Sequence, residues 1–330
     1  MIKALVTGGG GFLGSAVVEL LLQRGDSVRS FSRGTYPKLE ALGVEQHRGD
    51  LADAEAVLKA CRGSDVVFHV AANAGLWGRY EDFYATNITG TRNVIACCRA
   101  AGISRLVYTS SPSVVFNGRD MEGADESAPY PSRFNSPYPA TKAEAEKMVL
   151  EANDQELATV ALRPHLIWGP RDTHLVPGIL ERGRAGKIKM VGKKPKRVDF
   201  TYITNAADAH LLAADRLSVG NALGGRAYFI TNGEPVVLWD FINRLLAAAG
   251  ISPVSGTVSP GVAFAAGWIA ETVWRTFRLS GEPLMTRFLA EELATSHWFN
   301  IEAARRDLGY VPRVSMEEGL QHLKEWLERA

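Results

Sequence analysis

The chain has 330 residues, and its 37 Lys and Arg nearly balance its 36 Asp and Glu. Its 46% hydrophobic and 22% charged residues are typical of a globular protein and argue against a disordered chain or a nucleic-acid-binding one. At roughly 150 residues per domain, about two domains are expected, enough to bury a core without disulfides or structural metals.

Cysteine usage favours a reducing compartment. Cys61, Cys97 and Cys98 are odd in number and include an adjacent pair, so they cannot form the regular disulfide framework of small secreted proteins. The glycines at 8–11 interrupt the uncharged stretch 4–18, which argues against a signal peptide. We expect a cytoplasmic protein.

The first half alternates predicted strands and helices. Short β-branched stretches predict strands at 2–7, 27–32, 65–70, 105–109 and 159–163. Helical patterns fill the gaps, and parallel strands need such crossovers. The pattern therefore predicts an α/β fold with a doubly wound parallel sheet, the Rossmann architecture.

Prolines and glycines break the pattern after Pro164, before a strand-like stretch at 198–203. We expect a dinucleotide-binding domain over 1–165, to which 199–232 returns. A smaller, mostly C-terminal α/β substrate-binding region then comprises 166–198 and 233–330. A final helix is predicted from Met316, because Ser315 and Glu318 form a capping box before an apolar face.

A glycine-rich turn joins the first strand to the first helix. Gly8 permits the tight turn, Gly11 lets a pyrophosphate approach the backbone, and Gly14 lets helix and strand pack closely. The amides of Phe12 and Leu13 then face the phosphates. A P-loop is excluded because the motif lacks its lysine.

The second strand ends in Ser32 and Arg33, where NAD enzymes usually carry Asp or Glu. An arginine there can pair with a 2′-phosphate, so we expect NADP(H) in preference to NAD(H). Asp50, after the third strand, is a candidate acceptor for the adenine amino group.

Tyr138 and Lys142 are four residues apart at the start of a predicted helix and therefore share a face. The lysine ammonium is expected to lower the pKa of the phenol from about 10 toward working pH, as general acid–base chemistry requires. Ser111 follows a predicted central strand at the sheet edge where such folds bind ligands, and can polarise a carbonyl; Ser110 is the reserve candidate.

Taken together, these motifs resemble the extended short-chain dehydrogenase/reductases. The resemblance extends over nearly the whole chain and rests on 7–14, 50–51, 69–72, Asn87 with 90–91, 110–111, 138–142 and 163–164. It implies that Tyr138 is the catalytic acid/base, that Lys142 tunes it and binds the nicotinamide ribose, and that Ser111 orients the carbonyl. It further implies that Asn87 supports the proton relay, that Asp50, Leu51 and Ala71 lie beside the cofactor, and that Pro164 lines the nicotinamide pocket.

The later half is most similar to the 3β-hydroxysteroid dehydrogenase branch, through 162–170, 231–235 and 303–312. Within that branch the chain resembles enzymes of long-chain olefin biosynthesis. This implies NADPH-dependent reduction of a lipid-like β-keto acid, a 2-alkyl-3-oxoalkanoate, to its 3-hydroxy acid. His165, His174 and Arg197 are candidate partners for its carboxylate.

Large apolar side chains of the second region are candidates for the substrate cavity: Trp168, Phe264, Trp268, Trp274, Phe277 and Phe288. The stretch 260–270 is too short to span a bilayer, and peripheral membrane contact there stays open. A homodimer is the family expectation, and association with other enzymes of the pathway is left open.

Two other functions remain open: a 3β-hydroxysteroid or sterol dehydrogenase, and a catalytically silent NADP(H)-sensing module. A sugar-nucleotide epimerase is less favoured, because no site for the nucleotide is evident. The histidines and cysteines lack metal-ligand spacing, so no metal is expected.

Overall fold

The computed structural model describes residues 1–329. Its strands are β1 (Lys3–Thr7), β2 (Ser27–Ser32), β3 (Glu45–Arg48), β4 (Val66–His69), β5 (Arg105–Thr109), β6 (Met121–Ala124), β7 (Ala158–Pro164), β8 (Ile167–Trp168), β9 (Met190–Val191), β10 (Arg197–Val198), β11 (Thr201–Tyr202), β12 (Arg226–Ile230), β13 (Val236–Val237), β14 (Thr257–Val258) and β15 (His297–Phe299).

The α-helices are α1 (Phe12–Gln23), α2 (Pro37–Ala41), α3 (Ala54–Cys61), α4 (Tyr80–Phe83), α5 (Gly90–Ala100), α6 (Pro137–Glu151), α7 (Leu175–Arg184), α8 (Ile203–Arg216), α9 (Leu238–Ala248), α10 (Pro260–Phe277), α11 (Arg287–Ala294) and α12 (Met316–Arg329). Tyr84–Thr89 and Ala304–Leu308 are π-helical, and Pro112–Val114 forms a 3-10 turn.

The main sheet has seven parallel strands in the order β3-β2-β1-β4-β5-β7-β12. The chain starts in the centre at β1, builds outward to β3, and then crosses over to β4 on the other side of β1. The predicted doubly wound fold is confirmed. In such sheets ligands bind outside the carboxyl ends of the strands where the winding reverses, which here lies between β1 and β4.

Helices cover both faces of this sheet, which explains why its central strands are largely apolar. All four residues of β4 are buried. Leu5, Val67 and Leu106 belong to the core on one face, while Val6, Phe68 and Val107 belong to the core on the other. This alternation follows from the two-residue repeat of a strand.

The second region is built around a smaller sheet in the order β13-β10-β15-β6. It takes β6 from within the range expected for the first region, while β12 lies beside β7 in the main sheet. The strand predicted at 198–203 is divided: β10 ends at Val198, β11 follows, and α8 begins at Ile203. The chain bends there around Asp199, a buried carboxylate that binds the His165 ring and the Phe299 amide.

The predicted capping box of α12 is confirmed. The Glu318 amide donates to the Ser315 hydroxyl at 3.2 Å, and the Ser315 amide donates to the Glu318 carboxylate at 2.8 Å. Across residues 1–329, none of the helices has both the length and the apolar character required to traverse a bilayer.

Candidate active site

The glycine turn between β1 and α1 is shaped by close backbone packing. Gly8 has a φ of +72°, and a Cβ there would lie 2.9 Å from the Ala71 Cα. A Cβ on Gly14 would lie 2.1 Å from the Gly8 carbonyl oxygen, whereas one on Gly11 would meet just that oxygen, at 3.2 Å. Gly8 and Gly14 therefore close the turn, and Gly11 faces free space.

Helix α1 begins at Phe12 without a side-chain cap. The amides of its first turn, at Phe12 and Leu13, are therefore oriented to bind an anion at the positive end of the helix. This cradle fits the pyrophosphate of a dinucleotide. Tyr36, which was not predicted from the sequence, packs on the turn: its ring would lie 2.2 Å from a Cβ on Gly10.

Two side chains at the end of β2 are available to a ligand. The Ser32 hydroxyl is buried and has no hydrogen-bond partner among residues 1–329. Arg33 is exposed, and within the same residues its guanidinium makes no ion pair or hydrogen bond. A buried hydroxyl and an unpaired cation at this edge suit a ribose bearing a phosphate.

Asp50 and Leu51 lie at the neighbouring edge, after β3. Asp50 is exposed, and one of its carboxylate oxygens accepts the Ala52 amide at 2.9 Å, which leaves the other oxygen for a ligand. Leu51 is buried against α5, since a Cβ on Gly90 would lie 2.7 Å from the Leu51 Cβ.

Ser111 ends the loop after β5 with its hydroxyl oriented by Ser113. The Ser113 amide and the Ser113 hydroxyl both donate to the Ser111 Oγ, at 3.2 and 2.9 Å. With both acceptor positions used, the Ser111 proton is left to donate outward. Ser110 is buried, and its hydroxyl has no partner in the described part of the chain. Ser111 is half-buried whereas Ser110 is buried, so the Ser111 hydroxyl is the more accessible of the two to a ligand.

Tyr138 lies in the first turn of α6, facing Ser111. Burial raises the pKa of Tyr138 above its ordinary value, while the Ser111 hydroxyl opposes the rise and the Glu292 carboxylate adds to it. The expectation that Lys142 lowers this pKa is therefore wrong for the structure described. Burial destabilises the phenolate by more than its polar neighbours stabilise it.

Lys142 is directed into the sheet edge. Its ammonium donates to the Thr109 carbonyl at 2.5 Å and lies 4.1 Å from the centre of the Tyr108 ring. Burial lowers the pKa of Lys142 to about 7, against an opposing effect of Glu146. The lysine is thus held at the end of β5 and can lose or gain a proton near neutral pH.

Asn87 lies on the π-helical stretch 84–89 and links two segments of the site. Its side-chain oxygen accepts the Asn73 amide at 2.8 Å, and its amide group donates to the Asn73 carbonyl at 3.1 Å and to the Thr141 hydroxyl at 3.0 Å. Thr141 stands between Tyr138 and Lys142 on α6. Asn87 therefore links α6 to the loop after β4.

Ala71 and Pro164 complete the edge. The Ala71 amide donates to the Thr7 hydroxyl at 3.2 Å, next to Gly8, and Pro164 is buried at the end of β7. Sheet order therefore places Ala71, Ser111 and Pro164 at the carboxyl ends of the three adjacent strands β4, β5 and β7.

His165 is excluded as a free partner for a substrate carboxylate. It is buried, with Nδ1 2.6 Å from Asp199 Oδ1 and Nε2 3.1 Å from His297 Nδ1. His297 in turn donates from Nε2 to the Glu292 carbonyl. His174 and Arg197 are exposed.

Glu292, on α11, influences Tyr138 electrostatically and was not predicted from the sequence. Burial and Glu291 raise the pKa of its carboxyl to about 8, and this carboxyl acts on Tyr138. No local motif marks Glu292, because it lies more than 150 residues after Tyr138 and reaches the site through the packing of the second region.

Comparison with known proteins decides the family. The sequence model of the 3-beta hydroxysteroid dehydrogenase/isomerase family matches residues 5–259. The chain belongs to this family.

Two relatives span almost the whole chain. It is 55% identical to the 2-alkyl-3-oxoalkanoate reductase of Stenotrophomonas maltophilia, covering 98% of each chain. It is 50% identical to the 2-alkyl-3-oxoalkanoate reductase of Shewanella oneidensis, covering 97% of this chain and 85% of the relative.

The UDP-glucose 4-epimerase of Thermus thermophilus, solved in complex with NAD, superposes with a TM-score of 0.76 at 26% identity over the full length of both chains. As a member of the 3-beta hydroxysteroid dehydrogenase/isomerase family, the protein is an NAD(P)-dependent oxidoreductase with the extended short-chain dehydrogenase/reductase fold.

Proposed function

We propose that the protein reduces the ketone of a 2-alkyl-3-oxoalkanoate to the 3-hydroxy acid, with NADPH as the hydride donor, in long-chain olefin biosynthesis. The observation that carries the reaction class is the meeting of Ser111, Tyr138 and Lys142 at the end of β5, beside the glycine turn. The substrate class is supported by the names of the two relatives at 50–55% identity.

The chain's own residues would act on the ketone oxygen. The Ser111 hydroxyl donates a hydrogen bond to that oxygen and keeps its proton, which orients the carbonyl and stabilises the developing negative charge. Tyr138 passes its proton to the forming alkoxide, for which a protonated phenol is the state required. The raised pKa of Tyr138 keeps the phenol protonated before the reaction.

Lys142 and Asn87 would support this proton transfer. Lys142 supplies positive charge as the phenolate forms, and Asn87 holds α6 in place through Thr141. When bound, NADPH supplies the hydride; Gly8, Gly11, Phe12, Leu13 and Gly14 would hold its pyrophosphate. Its remaining contacts would come from Ser32, Arg33, Asp50, Leu51, Ala71, Lys142 and Pro164.

Cofactor and substrate binding are assigned to different parts of the fold. We assign cofactor binding to 1–165 with 199–232, and substrate binding to 166–198 with 233–330. Strand β6 lies within the first range and completes the smaller sheet, which supports an interleaved arrangement of the two parts.

A panel of substrates tests the proposed function. NADPH absorbance would be followed with branched 3-oxo acids, a 3-keto sterol and UDP-glucose, and the reverse reaction with a 3β-hydroxysterol. We expect turnover with the branched acids. The sterol is the second candidate because of the family to which the chain belongs; turnover of sterols in preference to the branched acids would overturn the assignment. NADPH binding without any turnover would indicate a sensing module.

The preference for NADPH rests on Arg33, an exposed arginine without an ion-pair partner among residues 1–329. Arg33→Ala is expected to raise the KM for NADPH about tenfold, because a charge-assisted contact to its phosphate is lost. The KM for NADH should be unchanged, since NADH lacks this phosphate. Arg62→Ala, an exposed arginine at the far end of α3, is the control. Equal effects on both cofactors would contradict the role of Arg33.

A further inference from the structure

Helix α10 carries apolar surface that the described part of the chain does not cover. Its first eleven residues, 260–270, are uncharged. Ala263, Gly267 and Glu271, spaced four apart, form its buried stripe, and a Cβ on Gly267 would lie 2.6 Å from the Thr286 carbonyl carbon of the segment leading into α11. Trp268 and Ile269, outside this stripe, are each 55% exposed. A helix that is apolar on nearly all sides is normally covered by protein or lipid.

Positive charge surrounds the start of this helix. The stretch 187–197 contains six lysines and arginines and no acidic residue. It includes β9, which pairs with β14 just before α10, and a Cβ on Gly192 would lie 3.6 Å from Pro260. Four exposed lysines there make no ion pair with any residue of 1–329: Lys187, Lys189, Lys193 and Lys194.

The other end of α10 is also basic. Arg275 and Arg278 are exposed and have no carboxylate partner within residues 1–329. Glu271 adds no exposed charge, since it is buried in an ion pair with Arg287 at 2.7 Å. The apolar helix therefore lies between two groups of free cations.

This surface adjoins the candidate active site. The Arg275 guanidinium lies 5.9 Å from the Trp77 ring, and the Glu282 carboxylate would lie 3.3 Å from a Cβ on Gly75. Both contacts are with the segment that continues from Ala71 and is bound by Asn87 through Asn73. A molecule leaving a surface that covers α10 would have a short path to the site.

We propose that α10, together with the basic stretch 187–197 and Arg275 and Arg278, binds in the plane of an anionic lipid surface. Exposed tryptophan and isoleucine side chains enter the interface while the cations meet lipid phosphates. A second copy of the chain is disfavoured as the occupant, because a two-fold contact on this face would bring the free lysines of both copies together. The benefit to the enzyme rests on the proposed function, since an acid with two alkyl chains resides in lipid.

Vesicle co-sedimentation of the full chain tests the proposal without substrate. The probes are vesicles of phosphatidylcholine alone and vesicles with added phosphatidylglycerol. Wild type is expected to bind the anionic vesicles. The double variants W268S/I269S and K193E/K194E should each weaken partitioning by about tenfold or more, from lost apolar insertion and lost charge attraction. V311S and K324E alter an exposed valine and an exposed lysine that belong neither to α10 nor to the stretch 187–197, and serve as controls.

Several results would overturn the proposal: no binding of wild type to anionic vesicles, equal binding to both vesicle types, or unchanged binding of both double variants. Sedimentation velocity tests the alternative occupant. If wild type is a dimer that does not bind vesicles, and W268S/I269S is a monomer, a second copy of the chain covers α10 and the proposal is overturned. Reduction of a short, water-soluble branched 3-oxo acid is measured in parallel. If wild type does not reduce this acid, the proposed function is refuted, whereas the result of vesicle binding is unaffected.

Discussion

At the carboxyl edge of the main sheet, the Ser111 hydroxyl accepts from Ser113 and the Lys142 ammonium donates to the Thr109 carbonyl, whereas α10 leaves Trp268 and Ile269 in solvent. The first arrangement follows from topology, because parallel strands deliver the residues after β4, β5 and β7 to one edge. The second is an apolar surface that residues 1–329 leave uncovered. The proposed chemistry is thus located where the fold is most constrained, and the proposed contact with lipid where it is least.

Tyr138→Phe is expected to have the largest effect and tests whether the chemistry lies at the edge of the main sheet. The phenol is the proton donor of the proposed reaction, so kcat should fall by about 10²–10⁴-fold, the usual contribution of a positioned general acid. The variant keeps the ring and the buried packing, and NADPH binding should be nearly unchanged. Turnover by NADPH absorbance and cofactor affinity by fluorescence titration measure the two effects.

Tyr80→Phe is the matched control, because Tyr80 is 46% exposed on α4. It should keep the wild-type kcat. A Tyr138→Phe enzyme with wild-type turnover would show that the proton comes from another group.

Substitution of two glycines by alanine compares how tightly the backbone is packed in the two regions. Gly14→Ala would place a Cβ 2.1 Å from the Gly8 carbonyl and should cost about 3 kcal/mol of unfolding free energy, together with cofactor affinity. The Cβ of Gly178→Ala, within α7, would meet no atom of residues 1–329 within 4 Å, so this change should stabilise the protein by up to about 1 kcal/mol. Urea denaturation and NADPH titration give both values, and equal stabilities would refute the tight packing of the turn.

Sequence could predict the first region because its signals are local. Gly8 and Gly14 sit in one turn, Tyr138 and Lys142 in one turn of a helix, and Ser111 directly after a strand. What it could not predict depends on contacts between distant segments. The His165–Asp199–His297 contacts join three such segments, so the sequence offered His165 as a free substrate partner. The pKa of Tyr138 was predicted in the wrong direction because burial is not visible in an i, i+4 spacing.

The smallest predicted effect concerns Glu292, where the second region acts on the first. Its folded-state pKa is raised to about 8, against about 4.3 for a free glutamate, so the folded state binds more protons between these values. The stability of wild type relative to Glu292→Gln should therefore fall as pH rises from about 4.3 to about 8, and be constant outside that window. Lys142 is present in both proteins, so its own titration cancels in the difference.

Thermal melts of both proteins across this range measure the difference in Tm, and Glu328→Gln, an exposed carboxyl on α12, controls for the loss of one acid. The same change links the two regions chemically. Ionised Glu292 adds negative charge near Tyr138 and disfavours the phenolate. The part of the pH dependence of turnover that comes from ionisation of Glu292 on the alkaline side should therefore be absent in Glu292→Gln. A difference in Tm that does not vary with pH would place the Glu292 carboxyl in water, and the second region would then influence the reaction through substrate shape alone.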